Sequence, residues 1–136
     1  MTSRLNPYLS FRDNAREAME FYRSVFGGEL NISTFGQFGQ EGTPMADLVM
    51  HSQLETPAGF TLMGADTPPG MDHTPGTNVT ISLSGDDADD LRGWFAGLAD
   101  GGTVLTPLAV QMWGDEFGML TDRFGIGWLV NISAAG

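Results

Sequence analysis

The feature that most constrains the fold of this chain is an internal repeat, in which a strand-like run, an amphipathic helix and a Gly-Gly pair occur twice. In the first copy, the alternating residues 5–11 predict a strand, and Gly27-Gly28 ends the following helix by supplying left-handed backbone conformations. In the second copy, residues 79–84 alternate in the same way, and Gly101-Gly102 ends the helix. Two copies are too few for a solenoid and indicate a duplicated module.

Each predicted helix has a start signal and one apolar face. In the first helix, Asn14 and Glu17 match a capping box, with the apolar stripe at Ala18, Met19, Tyr22, Val25 and Phe26. In the second, Asp86 and Asp87 are the predicted caps, and two further aspartates occupy the first turn, where the helix dipole favours negative charge. Its apolar face is Leu91, Trp94, Phe95, Leu98 and Ala99.

Three strand-like runs follow each helix, so the repeated unit is strand, helix and three strands. The runs are residues 29–35, 46–54 and 60–65 in the first copy, and residues 103–110, 117–121 and 127–132 in the second. Residues 122–125 form a predicted hairpin turn. We therefore predict a single α+β domain over residues 1–136, with βαβββ modules at about 4–66 and 77–133 and a Pro/Gly-rich linker at 67–76.

Strand parity predicts which side chains face a binding pocket. In the run 46–54, one face carries Leu48, Met50, Ser52 and Leu54 and suits packing under a helix, and the other carries Val49, His51 and Gln53. The second face, like the face with Thr80, Ser82 and Ser84, is more polar than a packed core. These polar faces indicate a hydrated small-molecule pocket.

The composition excludes several classes of function. The absence of cysteine excludes disulfides, thiolate zinc sites and cysteine nucleophiles. The chain contains six arginines and 17 acidic residues, and its formal net charge of −11 would repel a nucleic acid. The acidity has two explanations that both stay open, namely solubility and attraction of a cationic ligand. No Gly-x-Ser-x-Gly elbow, P-loop, Rossmann fingerprint or HExxH motif occurs.

The N-terminal residues contain no apolar signal-peptide region, and no apolar run reaches the length needed to cross a bilayer. The sequence therefore predicts a cytoplasmic protein that has no membrane partner.

Two stretches resemble the PhnB-like branch of the vicinal-oxygen-chelate superfamily, which includes glyoxalase, bleomycin-resistance and extradiol-dioxygenase proteins. The first runs from Tyr8-Leu9-Ser10-Phe11 through Phe21-Tyr22 to Val25-Phe26-Gly27-Gly28-Glu29, and the second from Trp113-Gly114-Asp115 through Thr121-Asp122 to Gly127-Trp128. The resemblance implies two tandem βαβββ modules that form a cupped mixed sheet, commonly in a homodimer. Members of this branch are often labelled by analogy with a ubiquinone methyltransferase, but no glycine-rich S-adenosylmethionine loop follows a strand here, so we reject that activity.

The resemblance also implies where a metal would bind. Metal-using members of the superfamily place His or Glu on four strands, and the corresponding positions here are Pro7, Leu62, Thr80 and Leu129. A shift of one residue offers Asn6, Tyr8, Met63 or Asn131 instead. Neither set resembles the imidazole and carboxylate ligands of such a centre. We therefore expect no classical metal site and no cofactor.

Several residues are candidates for ligand binding, each with a structural alternative. His51 is either a hydrogen-bonded wall residue or a ligand-binding group or general base, because histidine side chains titrate near neutral pH. Trp113 is either packing for a hairpin or an aromatic wall, which we favour. Phe38 lies in the loop 36–42, which is either an ordinary connection or a lid that Phe38 closes.

Other notable residues have simpler interpretations. Trp128 alternates with apolar neighbours and is predicted to lie in the core. His73, in the linker, is expected to be solvated. Asp115 and Glu116 are most simply charges of a turn, although as a pair they could hold a cation.

Two functional hypotheses remain, beside a third in which the pocket is vestigial and the dimer binds a protein partner. The first is a metal-free protein that binds a small molecule, by analogy with bleomycin-resistance proteins. The second is a lyase, isomerase or dioxygenase with a displaced metal site or none. In the second, His51 is the base or ligand, and the residues around the substrate are Tyr8, Gln53 and Trp113.

Overall fold

The computed structural model describes residues 3–134, and the chain divides into two compact units, one ending at Pro75 and the other beginning at Gly76. The first unit contains β1 (Tyr8–Phe11), α1 (Ala15–Phe26), β2 (Glu29–Thr34), a one-turn 3-10 helix (Phe35–Phe38), β3 (Val49–Glu55) and β4 (Thr61–Asp66). The second contains β5 (Ile81–Gly85), α2 (Ala88–Ala99), β6 (Thr103–Val110), β7 (Glu116–Thr121) and β8 (Gly127–Ile132).

Both units have the same strand order, with one helix packed against each sheet. The sheets run β1-β4-β3-β2 and β5-β8-β7-β6, and in each the first pair is parallel and the other pairs are antiparallel. The prediction of an α+β fold built from two βαβββ modules is confirmed. The single-domain assignment and its module bounds stay predictions. Within residues 3–134, neither helix is long and apolar enough to cross a membrane.

The start of α1 differs from the prediction. Asn14 occupies the N-cap position, but its side chain makes no capping hydrogen bond, so the predicted capping box is wrong. The acceptor comes instead from the other end of the unit, where the buried carboxylate of Asp66 accepts hydrogen bonds from the N–H groups of Ala15 (2.9 Å) and Val49 (2.8 Å). One aspartate at the end of β4 therefore satisfies a free N–H of the helix start and one of β3.

The predicted apolar face of α1 is buried, except that Val25 is half-buried; its buried residues are Ala15, Ala18, Met19, Tyr22 and Phe26. The sheet comes close beneath it at Gly64, where an added Cβ would lie 3.1 Å from the Met19 sulfur. Gly27 and Gly28 end the helix with φ values of 75° and 104°, as predicted. Burial of such side chains contributes about 1.5–3 kcal/mol each.

A β-bulge in β3 changes the predicted strand parity. Thr34 pairs with Val49 and Ser33 pairs with His51, so Met50 has no opposite residue in β2. Val49 is consequently buried on the helix side together with Ser52 and Leu54, and the prediction that it shares a face with His51 is wrong. His51 and Gln53 lie on the other face, as predicted.

The second unit repeats this arrangement with small shifts. The buried face of α2 consists of Leu91, Phe95 and Leu98, whereas Trp94 is only half-buried. Asp87 is the N-cap residue, again without a side-chain capping bond. Residues 79 and 80 were predicted to begin a strand, but they are exposed and precede β5.

The hairpin between β7 and β8 is fixed by a buried carboxylate. Asp122 accepts hydrogen bonds from the N–H groups of Phe124 (2.8 Å) and Ile126 (3.1 Å) and from the indole N–H of Trp128 (2.9 Å). Trp128 is 1% exposed, so its predicted place in the core is confirmed.

Candidate functional site

The face of the first sheet that is turned away from α1 carries a continuous set of polar side chains. The strand registers place on this surface, which we call the polar face, Tyr8, His51, Gln53, Glu55, Thr61 and Met63. The alternation of the strands explains the set, because the residues between them point towards α1.

Tyr8 and His51 form a pair across β4, the strand between them. The Tyr8 hydroxyl lies 3.2 Å from His51 Nδ1, and the ring centroids are 5.7 Å apart. Although the ring is half exposed, partial burial of the hydroxyl raises the pKa of Tyr8 above its ordinary value. A hydroxyl and an imidazole nitrogen can each donate or accept, so Tyr8 donates to Nδ1 in one tautomer of His51 and accepts from Nδ1–H in the other. In both tautomers Nε2 is the ring nitrogen left for another partner.

A second group of side chains converges on Glu55. The Thr61 hydroxyl donates to Glu55 Oε2 (2.8 Å), the Gln53 amide nitrogen donates to Oε1, and Arg4 Nη2 lies 3.7 Å from Oε1. The Thr61 hydrogen bond, followed by that of Gln53 and by the charge of Arg4, lowers the pKa of Glu55. Because an ionised carboxylate only accepts hydrogen bonds, the Gln53 nitrogen faces Glu55 and its Oε1 is left to accept from another group.

Three predicted site residues, Tyr8, His51 and Gln53, come together on the polar face. Sequence reasoning missed Glu55 and Thr61, although the signal was present. The alternation that places His51 and Gln53 on one face of the strand also places Glu55 there. The hairpin between β3 and β4 then pairs Glu55 with Thr61.

The remaining predicted residues lie elsewhere. Phe38 ends the 3-10 turn and is 61% exposed, so its role as a closing group stays a prediction. Thr80 is exposed just before β5 in the second unit. His73 is half-buried and shares a 3.3 Å hydrogen bond with the Thr67 hydroxyl, so it is not merely solvated as expected.

The corresponding face of the second sheet has a different character. Its residues are mainly apolar or small, namely Ser82, Ser84, Phe117, Met119, Leu129 and Asn131. Trp113 extends this face at the hairpin between β6 and β7 and packs edge-on against Phe117, with ring centroids 6.1 Å apart. Asp115 follows in the same hairpin and accepts hydrogen bonds from the Asn131 amide (3.1 Å) and the N–H of Ala134 (2.9 Å).

The positions at which the superfamily resemblance places metal ligands do not fit a divalent metal. Tyr8 and Met63 face each other on the polar face, Leu62 is buried on the helix side, and Leu129 belongs to the second sheet. None offers the imidazole or carboxylate donors of such a site. Among residues 3–134, no three His, Asp or Glu side chains lie close enough to hold a metal ion together.

Comparisons with known proteins agree with this architecture. The sequence profile of the Glyoxalase/Bleomycin resistance protein/Dioxygenase superfamily matches residues 4–130. The crystal structure of protein PA1353 from Pseudomonas aeruginosa is similar, with a TM-score of 0.86, 36% identity, and coverage of 98% of this chain and 100% of that one. The Mycobacterium tuberculosis protein Rv0887c is 35% identical over 132 residues, which cover 91% of this chain and 71% of that protein.

Two more distant proteins share the fold or the sequence pattern. A Bacillus cereus structure described as a putative 3-demethylubiquinone-9 3-methyltransferase, PhnB protein, has a TM-score of 0.77 at 24% identity and covers 96% of this chain and 100% of that one. Protein YjdN of Escherichia coli is 26% identical over 140 residues, which cover 94% of each chain. The Bacillus likeness is one of fold.

Proposed function

The chain belongs to the glyoxalase/bleomycin resistance protein/dioxygenase superfamily, and we propose that it binds a small organic molecule on the polar face of its first module without the usual divalent metal. The binding groups are Tyr8, His51 and Gln53. Glu55 accepts a hydrogen bond from the amide of Gln53, and Thr61 holds Glu55 in position for it.

The observation that carries this proposal is a pair of side chains whose free hydrogen-bonding atoms are oriented by their neighbours. Tyr8 contacts His51 Nδ1, so Nε2 is the ring nitrogen left for a ligand, and Glu55 holds the Gln53 nitrogen, so the amide presents Oε1. His51 and Gln53 are two residues apart on one face of a strand, a separation of about 7 Å. The complementary ligand carries one hydrogen-bonding group for Nε2 and, several ångström away, a donor for the Gln53 oxygen, as a ring with polar substituents on opposite sides does.

Stability alone gives little reason for this arrangement. A hydrogen bond between side chains contributes only about 0.5–1.5 kcal/mol net, and less where water competes for the same groups. Tyr8 is 51% exposed, so its pairing with His51 buries little surface. Side chains that are already ordered lose less conformational entropy when a ligand binds, which favours a role in recognition.

The proposal is tested by screening small polar compounds against the full chain by protein-observed NMR. We expect compounds with the stated hydrogen-bonding pattern to shift the side-chain signals of His51 and Gln53. His51→Ala should abolish the shift of the Gln53 signal, and His73→Ala is the matched control that should leave it unchanged. Binding that survives His51→Ala at the same affinity would contradict the proposal.

A second candidate function is catalysis, as a lyase, isomerase or dioxygenase of the same superfamily. The favouring observation is the Tyr8–His51 hydrogen bond: in the tautomer whose Nδ1–H donates to the Tyr8 hydroxyl, the ring is oriented and Nε2 keeps the lone pair that a general base needs. In this case turnover of a bound compound would be lost in His51→Gln while its binding persists. Compounds that bind and are recovered unchanged point to the binding function.

We propose further that the protein is a cytoplasmic homodimer. Support for self-association comes from the superfamily resemblance and from exposed apolar side chains in the second unit, including Val110 and Met112. Sedimentation equilibrium of the full chain should give twice the chain mass of 14.6 kDa, and a monomer at micromolar concentration would contradict this.

A further inference from the structure

The second module carries a separate cluster that combines aromatic rings with an ionised carboxylate. We call it the aromatic–carboxylate cluster, and its members are Trp113, Asp115, Phe117 and Asn131. Trp113 is 62% exposed and meets Phe117 edge to face. Phe117 pairs with Asn131 across β7 and β8, and the Asn131 amide donates to Asp115. The four residues are therefore contiguous.

The hairpin holds Trp113 and Asp115 close to each other. The Gln111 N–H donates to the Asp115 carbonyl (2.8 Å), and the Gly114 N–H donates to the Gln111 carbonyl (2.9 Å). Trp113 consequently lies at the tip of this hydrogen-bonded turn, two residues before Asp115. The indole is exposed because the turn projects it, while Phe117 supports one edge of the ring.

Asp115 carries a charge that no cation of the described chain neutralises. Its hydrogen-bond donors are the neutral groups of Asn131 and Ala134, which lower the pKa of the carboxyl below its ordinary value. Within residues 3–134, the ion pairs of the arginines involve other acids, and the neighbouring Glu116 is the one paired with Arg92. A formal net charge of −11 adds a field of the same sign.

We propose that the aromatic–carboxylate cluster binds an organic ammonium ion, with the cation against the Trp113 ring and Asp115 as its counter-charge. An aromatic face attracts a weakly hydrated cation through its quadrupole, and an adjacent carboxylate strengthens the attraction. An anion would be repelled, and a neutral apolar ligand would gain nothing from Asp115. This inference does not depend on ligand binding at the polar face.

The test uses choline and its neutral isostere, 3,3-dimethylbutan-1-ol, in which a carbon replaces the ammonium nitrogen. Each compound is titrated into the full chain at low ionic strength, and the indole N–H signal of Trp113 is followed by NMR. We expect a saturable shift with choline and an affinity about two- to fivefold weaker for the isostere. Equal affinities, or no shift with choline, would overturn the proposal.

Matched variants separate this site from general attraction by an acidic protein. Asp115→Asn removes the charge but keeps a side-chain oxygen for the Ala134 N–H, and Glu116→Gln removes the same charge one residue away. Choline affinity should fall several-fold in Asp115→Asn and stay unchanged in Glu116→Gln; equal losses in both variants would refute the site. Trp113→Leu should also lose choline binding, measured by the chemical shift of the Phe117 amide. Because Trp113 is exposed, we expect this variant to keep its fold.

Discussion

The two modules have the same core but different open faces. Helices α1 and α2 each contain 12 residues, and Tyr22 in one and Phe95 in the other are buried at the same position along their helices. On the opposite side of each sheet, the first module presents hydrogen-bonding groups such as His51 and Glu55, whereas the second presents Phe117. The packed side of a sheet is constrained by its helix, and the open side is free to take on different chemistry.

The largest expected effect lies in the shared core. Tyr22→Ala and Phe95→Ala should each reduce the free energy of unfolding by about 3–5 kcal/mol, because both remove a large aromatic side chain on the buried face of a helix. Chemical denaturation monitored by circular dichroism measures both. A loss below about 1 kcal/mol in one variant and not the other would show that the two cores are not equivalent.

A smaller and unequal effect is expected from the two buried aspartates. Asp66→Ala leaves the N–H groups of Ala15 and Val49 without their acceptor and should cost about 1–3 kcal/mol, with the loss concentrated at the start of α1. Asp122→Ala should instead loosen the β7–β8 hairpin around Trp128. Denaturation curves measure the loss of unfolding free energy in each variant, and amide chemical shifts show which residues are perturbed. Perturbation of the same residues in both variants would contradict this distinction.

The electrostatics of the polar face can be tested through Glu55. Because the folded-state pKa of Glu55 is lowered, its contribution to stability is present above the unfolded pKa of a glutamate and is lost as the pH falls through the folded value. Thr61→Val removes the largest cause and should raise the pKa of Glu55 towards the ordinary range. A carbon-detected NMR titration of the Glu55 carboxyl measures the shift. Thr121→Val, on the second sheet, is the control that should leave it unchanged.

The smallest effect on stability is expected at the candidate site itself. His51→Ala should change the free energy of unfolding by less than about 0.5 kcal/mol, because the ring is only partly buried and packs against the exposed Tyr8. Thermal unfolding of the variant checks this. A loss comparable to that of Tyr22→Ala would mean that His51 is a structural residue and would remove the contrast between the two sides of the sheet.

Much of this fold can be predicted from the sequence because its signals are local. The apolar stripe around Tyr22 predicts α1, and Gly27 and Gly28 mark its end. In the second module Gly101 follows the helix one residue later, after the C-cap residue Asp100. The acceptor at the start of α1 could not be predicted, because Asp66 lies 51 residues from Ala15 in the sequence. The bulge at Met50 was equally hidden, since it exists only in the pairing of β2 with β3.

The candidate site shows the same division. His51 and Gln53 were found because their alternation along one strand is visible in the sequence. Their actual chemistry depends on two partners, Tyr8 from another strand and Glu55 at the end of the same strand, which determine the nitrogen of His51 that stays available and the end of the Gln53 amide that accepts. Residue type alone gives neither, since an imidazole and an amide can each donate or accept.

The carboxylate of Asp66 has a consequence for how the first module opens. It joins the first residues of α1 and β3 through two hydrogen bonds, one to each carboxylate oxygen, so a movement of Asp66 out of its buried position breaks both at once. The amide protons of Ala15 and Val49 should therefore exchange with deuterium in a single cooperative event and show similar protection. In this view the helix and the central strand form one unit of local unfolding, although 34 residues of chain separate the two amides.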